Sequence, residues 1–542
     1  MIMGWFTWLT ERLESNKAVS AWLLFLICFS FFFYLQSTPT FGDPDSFYHI
    51  KIAQMMAAGG VVRDFPYLPF TVLKDNYIDH HFLYHLFLVP FVKFPPPLMG
   101  VKLAHIILDT LVIFVFYWVL KRFKVKGAFW YALFLLLSQP FIFRLSLIKA
   151  QPFSFIILFL GIYLIASRKY FWLSLLSFLY VWSYGGWPLM LVLALMYALA
   201  DSFTLSLKKS GENRLKRFLS VIGWKKTGSF FRSWVKSFFR KENLKLLFSV
   251  AVGLGLGLVI NPYFPNNISF YWFQVVQIAF VNYQGVIDVG AEWYPYNWPD
   301  FFRSIAVPLV LVVPALLCYF RYFRKYSSLI HFSFLLFLLF LIMTIKARRN
   351  IEYFTPFAVF FSALVFAGAG CLKLKWKKAL DQWLDSEVLA KIIISAAIVI
   401  VFFSLATDCL VKNRNYLKNG LPFGRLSKTA EHIKSISQEG DVVFHSDWDD
   451  FPALFFHNGQ NHYICGLDPT FMYLEDKDLY FKWRDVTLGK RAADIHSIIK
   501  DDFKAKYVVA DRENEGLIKN LRNNFFFKEI RADEEAIIFQ VL

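Results

Sequence analysis

The chain is dominated by long apolar runs that are separated by shorter polar segments. Over most of its length the apolar residues do not recur at helical or strand periods, and the runs are long enough for membrane-spanning helices, which need about 20 mainly apolar residues each. The first run follows an amphipathic leader and shows no small-residue cleavage pattern, so we expect a membrane anchor and no cleaved signal peptide. We predict eleven spans, near residues 20–37, 98–120, 127–142, 153–167, 171–184, 187–203, 246–261, 304–320, 328–346, 353–370 and 391–409.

The composition agrees with a membrane protein. Of the 542 residues, 57% are hydrophobic and 20% aromatic, and only 18% are charged, whereas soluble domains carry about 25% charged residues. The cysteines have no paired spacing, and four of the five lie in or beside apolar runs, so we expect neither a disulfide framework nor a cysteine-based metal site. They are Cys28, Cys318, Cys371, Cys409 and Cys465.

The linkers between the runs fall into two groups by charge. The basic linkers all lie on one side of the membrane if the N-terminus lies there too, and an excess of Lys and Arg marks the cytoplasmic side. We therefore predict a protein of the cytoplasmic (inner) membrane with a cytoplasmic N-terminus and, with an odd number of spans, an extracytoplasmic C-terminal end. The basic linkers are 121–126, 168–169, 206–245, 321–325 and 373–378.

The net charge of +18 also allows a second interpretation of the basic linkers. Residues 206–245 hold twelve Lys or Arg against two Glu, which in a soluble protein would indicate a nucleic-acid surface. The segment contains no recognisable nucleic-acid module and lies between two predicted spans. We favour a cytoplasmic membrane-surface loop and expect no nucleic-acid partner.

The segments on the opposite side are where we expect the chemistry. They are rich in Asp, Glu, His, Trp, Tyr and Pro, and the two long loops among them are 38–97 and 262–302. After residue 410, β-branched runs alternate with helix-like stretches, a pattern typical of an α/β domain. We predict a transmembrane domain at 1–410 and a soluble extracytoplasmic α/β domain at 411–542. Its strands begin near Asp441, Ala505 and Ala536, and its helices lie near 427–437, 490–501 and 514–522.

Two carboxylates, Asp43 and Asp45, follow the first span directly. A pair of hard oxygen ligands suits Mg²⁺ or Mn²⁺, which bind carboxylate and phosphate together. The alternative is a turn, since Gly-Asp-Pro-Asp is also good turn chemistry. The spacing alone leaves both open.

A histidine cluster follows in the same loop, in the sequence Asp79-His-His-Phe-Leu-Tyr-His85. His81 and His85 are four residues apart and share one face if the stretch is helical. Such a cluster can bind a metal or relay protons. The plainer alternative is the polar face of a helix that lies in the membrane interface.

Two further charged features stand on the outer side. Glu292 is a lone carboxylate among Trp and Tyr residues that are expected at a membrane interface. Arg348 and Arg349 lie at the outer end of a span, against the positive-inside bias, and therefore need an anionic partner. A lipid-linked phosphate is one such partner.

Taken in order, these segments resemble the catalytic subunit of oligosaccharyltransferase, a polytopic glycosyltransferase of the GT-C fold. Asp45-Ser-Phe-Tyr-His49 resembles the end of its acidic first external loop, and Trp182-Ser-Tyr-Gly-Gly-Trp187 resembles its Trp-Gly-Gly-Tyr hairpin. Ala291-Glu-Trp-Tyr-Pro-Tyr-Asn-Trp298 resembles its Ser-Glu-His-Gln-Pro-x-x-Trp loop, and Arg349 precedes Pro356 by the family's spacing. The resemblance covers about residues 20 to 470. It implies a GT-C-like membrane domain of about 11–13 helices.

The resemblance also implies roles for individual residues. Asp45 and Glu292 would be catalytic, and Asp43, Asp45, Glu292 and His81 would hold a divalent cation, Mg²⁺ or Mn²⁺. The donor phosphate would be bound by Arg144, Lys149 and Arg349. Trp448, Asp449 and Arg349 would contact the acceptor.

The chain departs from the family's pattern in two places. The family has an Asp seven residues after the Arg of its second external loop, but here Gln151 follows Arg144 and lies beside Lys149. The acceptor motif Trp-Trp-Asp-Tyr-Gly is replaced by Ser446-Asp-Trp-Asp-Asp-Phe-Pro452, which keeps only Trp448-Asp449. The departures put one metal ligand and the recognition of an Asn-x-Ser/Thr acceptor in doubt.

We therefore predict a glycosyltransferase that moves a sugar or oligosaccharide from a polyprenyl-(di)phosphate donor to an acceptor on the outer face. The acceptor is a protein, a lipid or a polysaccharide. One alternative is a GT-C enzyme that modifies an envelope lipid or polysaccharide. An alternative of another class is a transporter or flippase of lipid-linked precursors. Such proteins place ionisable residues within their spans, whereas these carboxylates lie at loop ends, with Asp109 as the main exception.

Overall fold

The computed structural model describes residues 11–220, 224–370 and 388–542 and is mainly helical. In these residues, seven helices are long and apolar enough to cross a membrane, which makes the chain a multi-pass membrane protein. They are Lys17–Gln36, Pro97–Arg122, Leu189–Lys209, Lys241–Val259, Trp298–Lys325, Ser328–Lys346 and Arg348–Ala369.

One predicted span, 127–142, is strongly bent. It consists of Ala128–Leu137 and Gln139–Leu145, which meet with a bend of 86°. Pro140 lies in the first turn of the second helix, where its missing N–H is tolerated but where it prevents the first helix from continuing. The bend turns the chain just before Arg144 and Lys149.

Two more predicted spans are shorter than full-length membrane helices, and a third is described only in part. The spans at 153–167 and 171–184 correspond to Gln151–Ala166 and Tyr170–Val181, which have 16 and 12 residues. The span at 391–409 falls within the Val388–Lys418 helix, of which the first side chains lie outside the described residues. By length and composition, the described residues support seven spans, or eight if the bent pair is one span, compared with the eleven predicted.

The short Tyr170–Val181 helix packs closely along Lys241–Val259. A Cβ atom on Gly253 would lie 2.1 Å from the carbonyl oxygen of Ser174, and one on Gly257 would lie 2.8 Å from that of Phe178. Small residues four positions apart allow helix backbones in membranes to approach in this way. Close backbone packing therefore holds the short helix and the hairpin that follows it.

The contacts between linkers reproduce the two groups that the charge pattern predicts. Asp201 contacts two of the linkers assigned to the cytoplasmic side, through Arg168 at 2.9 Å and Arg240 at 3.9 Å, and it accepts a hydrogen bond at 2.9 Å from Ser328, which begins the span after the 321–325 linker. The linkers assigned to the other side meet in a separate polar group, described below. Which side of the membrane each group faces stays a prediction, and the basic linker 373–378 lies outside the described residues.

The first long loop, 38–97, is folded and tied to the C-terminal part of the chain. Its short strand Thr40–Phe41 pairs antiparallel with Leu421–Pro422. Close approach is possible because residue 420 is Gly: a Cβ atom there would lie 2.2 Å from the carbonyl oxygen of Phe41. The loop contains the helices Asp45–Gly59, Leu73–Asn76 and Phe82–Val92.

The second long loop, 262–302, contains short helical segments. These are Asn266–Tyr271, a ten-residue π-helical run Trp272–Val281 and the 3₁₀ turn Ala291–Trp293. None of them is long enough to span a membrane. The segment 262–302 therefore connects spans, as the sequence predicts for a loop.

The C-terminal region contains a five-stranded mixed sheet that includes the three predicted strands. The central strand Ala505–Asp511 pairs in parallel with Val442–His445 and antiparallel with Ala536–Val541. His462–Tyr463 and Phe527–Ala532 form the two edges, and neither was predicted because the first has two residues and the second is mostly polar. The predicted α/β arrangement is confirmed; the boundary at residue 410 stays a prediction.

Helices of the C-terminal region cover the sheet. Ser427–Ile436 and Glu515–Arg522 match predicted helices, and the predicted helix at 490–501 is a shorter pair, Ile495–Ser497 and Ile498–Asp502. The remaining helices are Phe451–His457, Thr470–Glu475 and Lys477–Thr487 here, and Trp224–Phe238 in the basic linker. Four cysteines are free, and Cys371 lies outside the described residues.

Candidate functional site

Lys149 joins the two carboxylates of the first loop. Pro44 separates Asp43 from Asp45, and Asp43 Oδ1 accepts a hydrogen bond from the Asp45 backbone N–H at 2.9 Å. Lys149, which follows the bent helix pair, places its Nζ 2.8 Å from Asp43 Oδ2 and 3.0 Å from Asp45 Oδ2. The predicted catalytic carboxylate thus meets a predicted phosphate ligand directly.

Asp45 is the accessible member of this group. Its side chain is 28% exposed, compared with 15% for Asp43 and 12% for Lys149. Burial raises the pKa of Asp45 from 3.8 to about 6, and Asp43 and Glu292 add to that effect, whereas Lys149 opposes it. A carboxylate with these properties is suited to accept a proton near neutral pH.

A second group of charges contains Arg144, Glu292, Arg349 and Glu352. Arg144 forms an ion pair with Glu292 through Nη1 and with Glu352 at 2.9 Å through Nε. Arg349 lies 2.9 Å from Glu292 and stacks over the ring of Trp293, with its guanidinium carbon 4.1 Å from the ring centroid. Three residues that the sequence assigned to the site are therefore in direct contact.

Glu352 was not predicted as a site residue. It lies three positions after Arg349 at the start of the Ile351–Gly370 helix, so its spacing places both side chains on one face. That spacing is the feature of the sequence from which Glu352 could have been predicted as a site residue. Glu352 is almost fully buried and depends on Arg144 for its ion pair.

The backbone holds the Glu292 loop against the end of the span that carries Arg349. The Arg348 backbone N–H donates to the carbonyl oxygen of Tyr294 at 3.0 Å, and its side chain donates to the carbonyl oxygens of Tyr294 and Pro295. Arg348 therefore positions the loop, while Arg349 contacts Glu292.

The two charged groups influence one another. Burial alone would raise the pKa of Glu292, but Arg144, Arg349 and Lys149 outweigh it and lower the pKa well below its usual value. Burial alone would lower the pKa of Lys149, but Asp43, Asp45 and Glu292 raise it. At neutral pH the site therefore holds fixed charges of both signs, which suits binding and stabilisation of a phosphate-bearing reactant.

The C-terminal region contributes Trp448 and Asp449 to the rim of the site. A Cβ atom on Gly290 would lie 3.8 Å from the Trp448 ring, which places that ring beside the Glu292 loop. Loss of surrounding water raises the pKa of Asp449 to about 8, and Asp447, Asp45 and Asp43 add to the shift. Trp448 thus lies beside the Glu292 loop, and Asp449 is near enough to Asp43 and Asp45 for their charges to raise its pKa.

His81 belongs to a separate cluster. Its ring stacks on Tyr184, with centroids 5.7 Å apart, and its backbone N–H donates to Asp79. Asp79 pairs with His85 Nδ1 at 2.8 Å, and His85 Nε2 lies 2.8 Å from His49 Nδ1. Burial lowers the pKa of His49 and His81 well below 6.5, so both rings are neutral.

The predicted metal ligands are not gathered around one point. Lys149 occupies the position between Asp43 and Asp45, two arginines hold Glu292, and His81 lies in the histidine cluster. Over residues 11–220, 224–370 and 388–542, no group of three or more His, Cys, Asp or Glu side chains could hold a metal ion. The described residues therefore do not fit the predicted Mg²⁺ or Mn²⁺.

Several buried polar atoms near the site have no hydrogen-bond partner among the residues that the structure describes. Arg144 Nη2, Trp187 Nε1 and His81 Nδ1 are such atoms, and so is Glu352 Oε1. Buried polar groups are normally paired, and an unpaired one indicates a position that water or a ligand fills. Arg144 Nη2 is thus a buried donor available to an anionic ligand.

Solved structures of three glycosyltransferases share the fold of this chain. The Archaeoglobus fulgidus oligosaccharyltransferase AglB, in complex with an inhibitory peptide and a dolichol-phosphate, is 12% identical with a TM-score of 0.63, covering 93% of this chain and 70% of AglB. ArnT from Cupriavidus metallidurans, bound to undecaprenyl phosphate, is 14% identical with a TM-score of 0.52, covering 96% and 98%. The arabinofuranosyltransferase AftD from Mycobacteria is 12% identical with a TM-score of 0.56, covering 96% of this chain and 40% of AftD.

The chain has the GT-C glycosyltransferase fold. No protein-family model and no curated protein matches it by sequence. The likeness to these GT-C proteins is therefore one of architecture, at low identity. It confirms the fold that the order of the loop motifs predicts.

The hairpin at 182–187, which resembles a GT-C motif, lies between the histidine cluster and a neighbouring helix. Trp182 Nε1 donates to the carbonyl oxygen of Gly257 at 3.0 Å, and the Trp182 carbonyl accepts from the Leu83 N–H at 2.9 Å. Tyr184 meets His81, as described above. The hairpin thus links the loop 38–97 to the membrane helices.

Proposed function

We propose that this protein is a membrane glycosyltransferase that transfers a sugar or oligosaccharide from a polyprenyl-phosphate or diphosphate donor to an acceptor on the outer face. The observation that carries the proposal is Asp45, an accessible carboxylate beside Lys149 and the Arg144–Glu292–Arg349 group, in a GT-C fold. Two proteins with that fold were solved with dolichol-phosphate or undecaprenyl phosphate.

The proposed reaction forms a bond between an acceptor oxygen or nitrogen and the anomeric carbon of the donor. The bond from that carbon to the donor phosphate oxygen breaks, and the phosphate leaves with the bonding electrons. Asp45 takes the proton from the acceptor. Arg144, through Nη2, and Arg349 stabilise the negative charge that develops on the phosphate.

We propose that part of the prenyl tail lies in an apolar groove next to the site. The groove has a volume of about 350 Å³ and is lined by residues including Leu86, Phe87, Phe153 and Leu176. It reaches Ser183, which precedes Tyr184 in the hairpin beside His81. A lipid bound there would place its phosphate end towards the charged groups.

The acceptor side favours a target other than an Asn-x-Ser/Thr peptide. In the altered motif, Asp450 is buried and pairs with Arg425 at 3.3 Å, so it stabilises the C-terminal region and does not face an acceptor. Trp448 and Asp449 are left to contact the acceptor. This supports the second candidate function, a GT-C enzyme that glycosylates an envelope lipid or polysaccharide.

The proposed function is tested with purified protein in liposomes that contain a polyprenyl phosphate carrying a radiolabelled sugar. We expect release of unlabelled polyprenyl phosphate and movement of the label to an added envelope lipid or polysaccharide fraction. In cells, deletion of the gene should remove one surface glycan and cause the lipid-linked sugar to accumulate on the outer leaflet. Accumulation confined to the inner leaflet would contradict the proposal and indicate a flippase.

The pH dependence of transfer should show the ionisation of Asp45. Because the proton acceptor must be ionised, we expect the rate to rise about tenfold per pH unit below pH 6 and to level off above it. Above pH 8, ionised Asp449 adds negative charge beside Asp43 and Asp45, so the KM for the donor should increase.

The variant Asp449→Asn is the matched control for this pH profile. In this variant the rate should still rise with pH up to about pH 6, but the KM for the donor should no longer increase above pH 8. Initial rates between pH 4.5 and 9 measure both effects. A rate that does not vary between pH 4.5 and 7 would contradict the role of Asp45.

A further inference from the structure

Lys149 is held as a fixed positive charge between two carboxylates. Its Nζ lies 2.8 Å from Asp43 and 3.0 Å from Asp45, and its side chain is 12% exposed. These distances are those of charge-assisted hydrogen bonds. An ammonium group has three N–H groups, and the carboxylates account for two. One N–H remains for a bound reactant.

A divalent cation cannot share this position with Lys149. Mg²⁺ binds carboxylate oxygens at about 2.0–2.1 Å, so an ion between Asp43 and Asp45 would lie within a few ångströms of the ammonium nitrogen. Repulsion between like charges at such a distance in a partly buried site is strong. The structure therefore places a side chain where the resemblance predicts a metal.

Position 151 agrees with this arrangement. The resemblance leads us to expect an Asp there, but the chain has Gln151. The site therefore has one negative charge fewer to attract a divalent cation, and Lys149 supplies a positive charge between Asp43 and Asp45.

We propose that Lys149 is a built-in cation that takes the place of the divalent metal, so that transfer by this protein is metal-independent. The inference rests on the proposed function. Lys149 is a positioning residue: its hydrogen bond of 3.0 Å holds the carboxylate of Asp45 in one orientation.

The first test uses the wild-type protein. After treatment with EDTA, we expect unchanged transfer from the labelled polyprenyl-phosphate sugar. Electron paramagnetic resonance with added Mn²⁺ should give the same signal for the wild type and for Asp45→Asn, because no Mn²⁺ binds at Asp45. Loss of transfer with EDTA and recovery with Mn²⁺ or Mg²⁺ would overturn the inference, and so would a Mn²⁺ signal that disappears in the Asp45→Asn variant.

The second test uses substitutions of Lys149. The variant Lys149→Ala should lose transfer by about 10²- to 10³-fold, bind Mn²⁺ in the vacated space and regain at least tenfold of its activity with the ion. Lys149→Met, which fills the space without charge, should lose transfer without rescue. Lys412→Ala, which breaks an exposed Lys–Asp pair of 2.8 Å, should behave as wild type.

The outcomes separate the inference from the proposed function. If the wild type transfers no sugar under any condition, the proposed function fails, and Mn²⁺ binding by the wild type and Lys149→Ala still decides the role of Lys149. If both Lys149 variants are unfolded, as judged by gel filtration and thermal unfolding, the EDTA and Mn²⁺ experiments on the wild type decide it. Equal Mn²⁺ binding by the wild type and Lys149→Ala would overturn the inference.

Discussion

Replacement of Asp45 by Asn lowers the rate of sugar transfer by about 10³-fold and leaves the protein folded in the membrane. The amide has the shape of the carboxylate but cannot take the acceptor proton. Folding should be preserved because Asp43 still pairs with Lys149 at 2.8 Å. Initial rates with the labelled donor, together with thermal unfolding in detergent, measure both effects.

Three further variants serve as controls for this prediction. Asp408→Asn removes a carboxylate from an exposed pair with Lys412 and should leave the rate unchanged. Asp43→Asn should lower the rate by about tenfold, because Asp43 acts through Lys149 and the Asp45 backbone. If Asp45→Asn and Glu292→Gln both kept full activity, the assigned site would be wrong.

Replacement of Arg144 by Gln is expected to destabilise the protein by about 3–5 kcal/mol, the usual cost of removing one partner from a buried ion pair. Glu292 keeps Arg349, but Glu352 loses its ion pair while its side chain is only 2% exposed. Transfer should also fall, because Arg144 is the proposed phosphate ligand. Thermal unfolding in detergent and initial rates measure these two losses.

A double variant separates the two losses. In Arg144→Gln combined with Glu352→Gln, the stranded carboxylate is neutral, so most of the stability should return while transfer stays low. Arg303→Gln is the matched control, since Arg303 is 80% exposed and pairs with Asp300 on the surface. If Arg144→Gln and Arg303→Gln had the same midpoint of thermal unfolding, the proposed structural role of Arg144 would be contradicted.

Much of the candidate site was predictable because the family resemblance depends on the order of motifs along the chain. Asp45, Glu292 and Arg349 stand in that order, and the structure brings all three into one charged region together with Arg144. Trp448 and Asp449 also reach the rim of this region. Their grouping follows from the fold that the motif order predicts.

Other parts of the site could not be predicted from motif order. Lys149 was assigned to a phosphate, but it pairs with Asp43 and Asp45. His81 was grouped with the metal ligands, but it packs on Tyr184 in a cluster of its own. Which charged groups pair depends on distances of a few ångströms between segments that are far apart in the chain.

The sequence by itself determined the membrane character, the grouping of the linkers and the presence of a C-terminal α/β region. These are local properties, because the free energy of placing a run in lipid or of orienting a linker depends on its own composition. The tertiary structure alone decided the 86° bend before Arg144, the partnership of Glu352, and the occupant of the space between Asp43 and Asp45. Each of these depends on packing between distant segments, where the burial of a charge is tolerated only if another segment supplies the opposite charge.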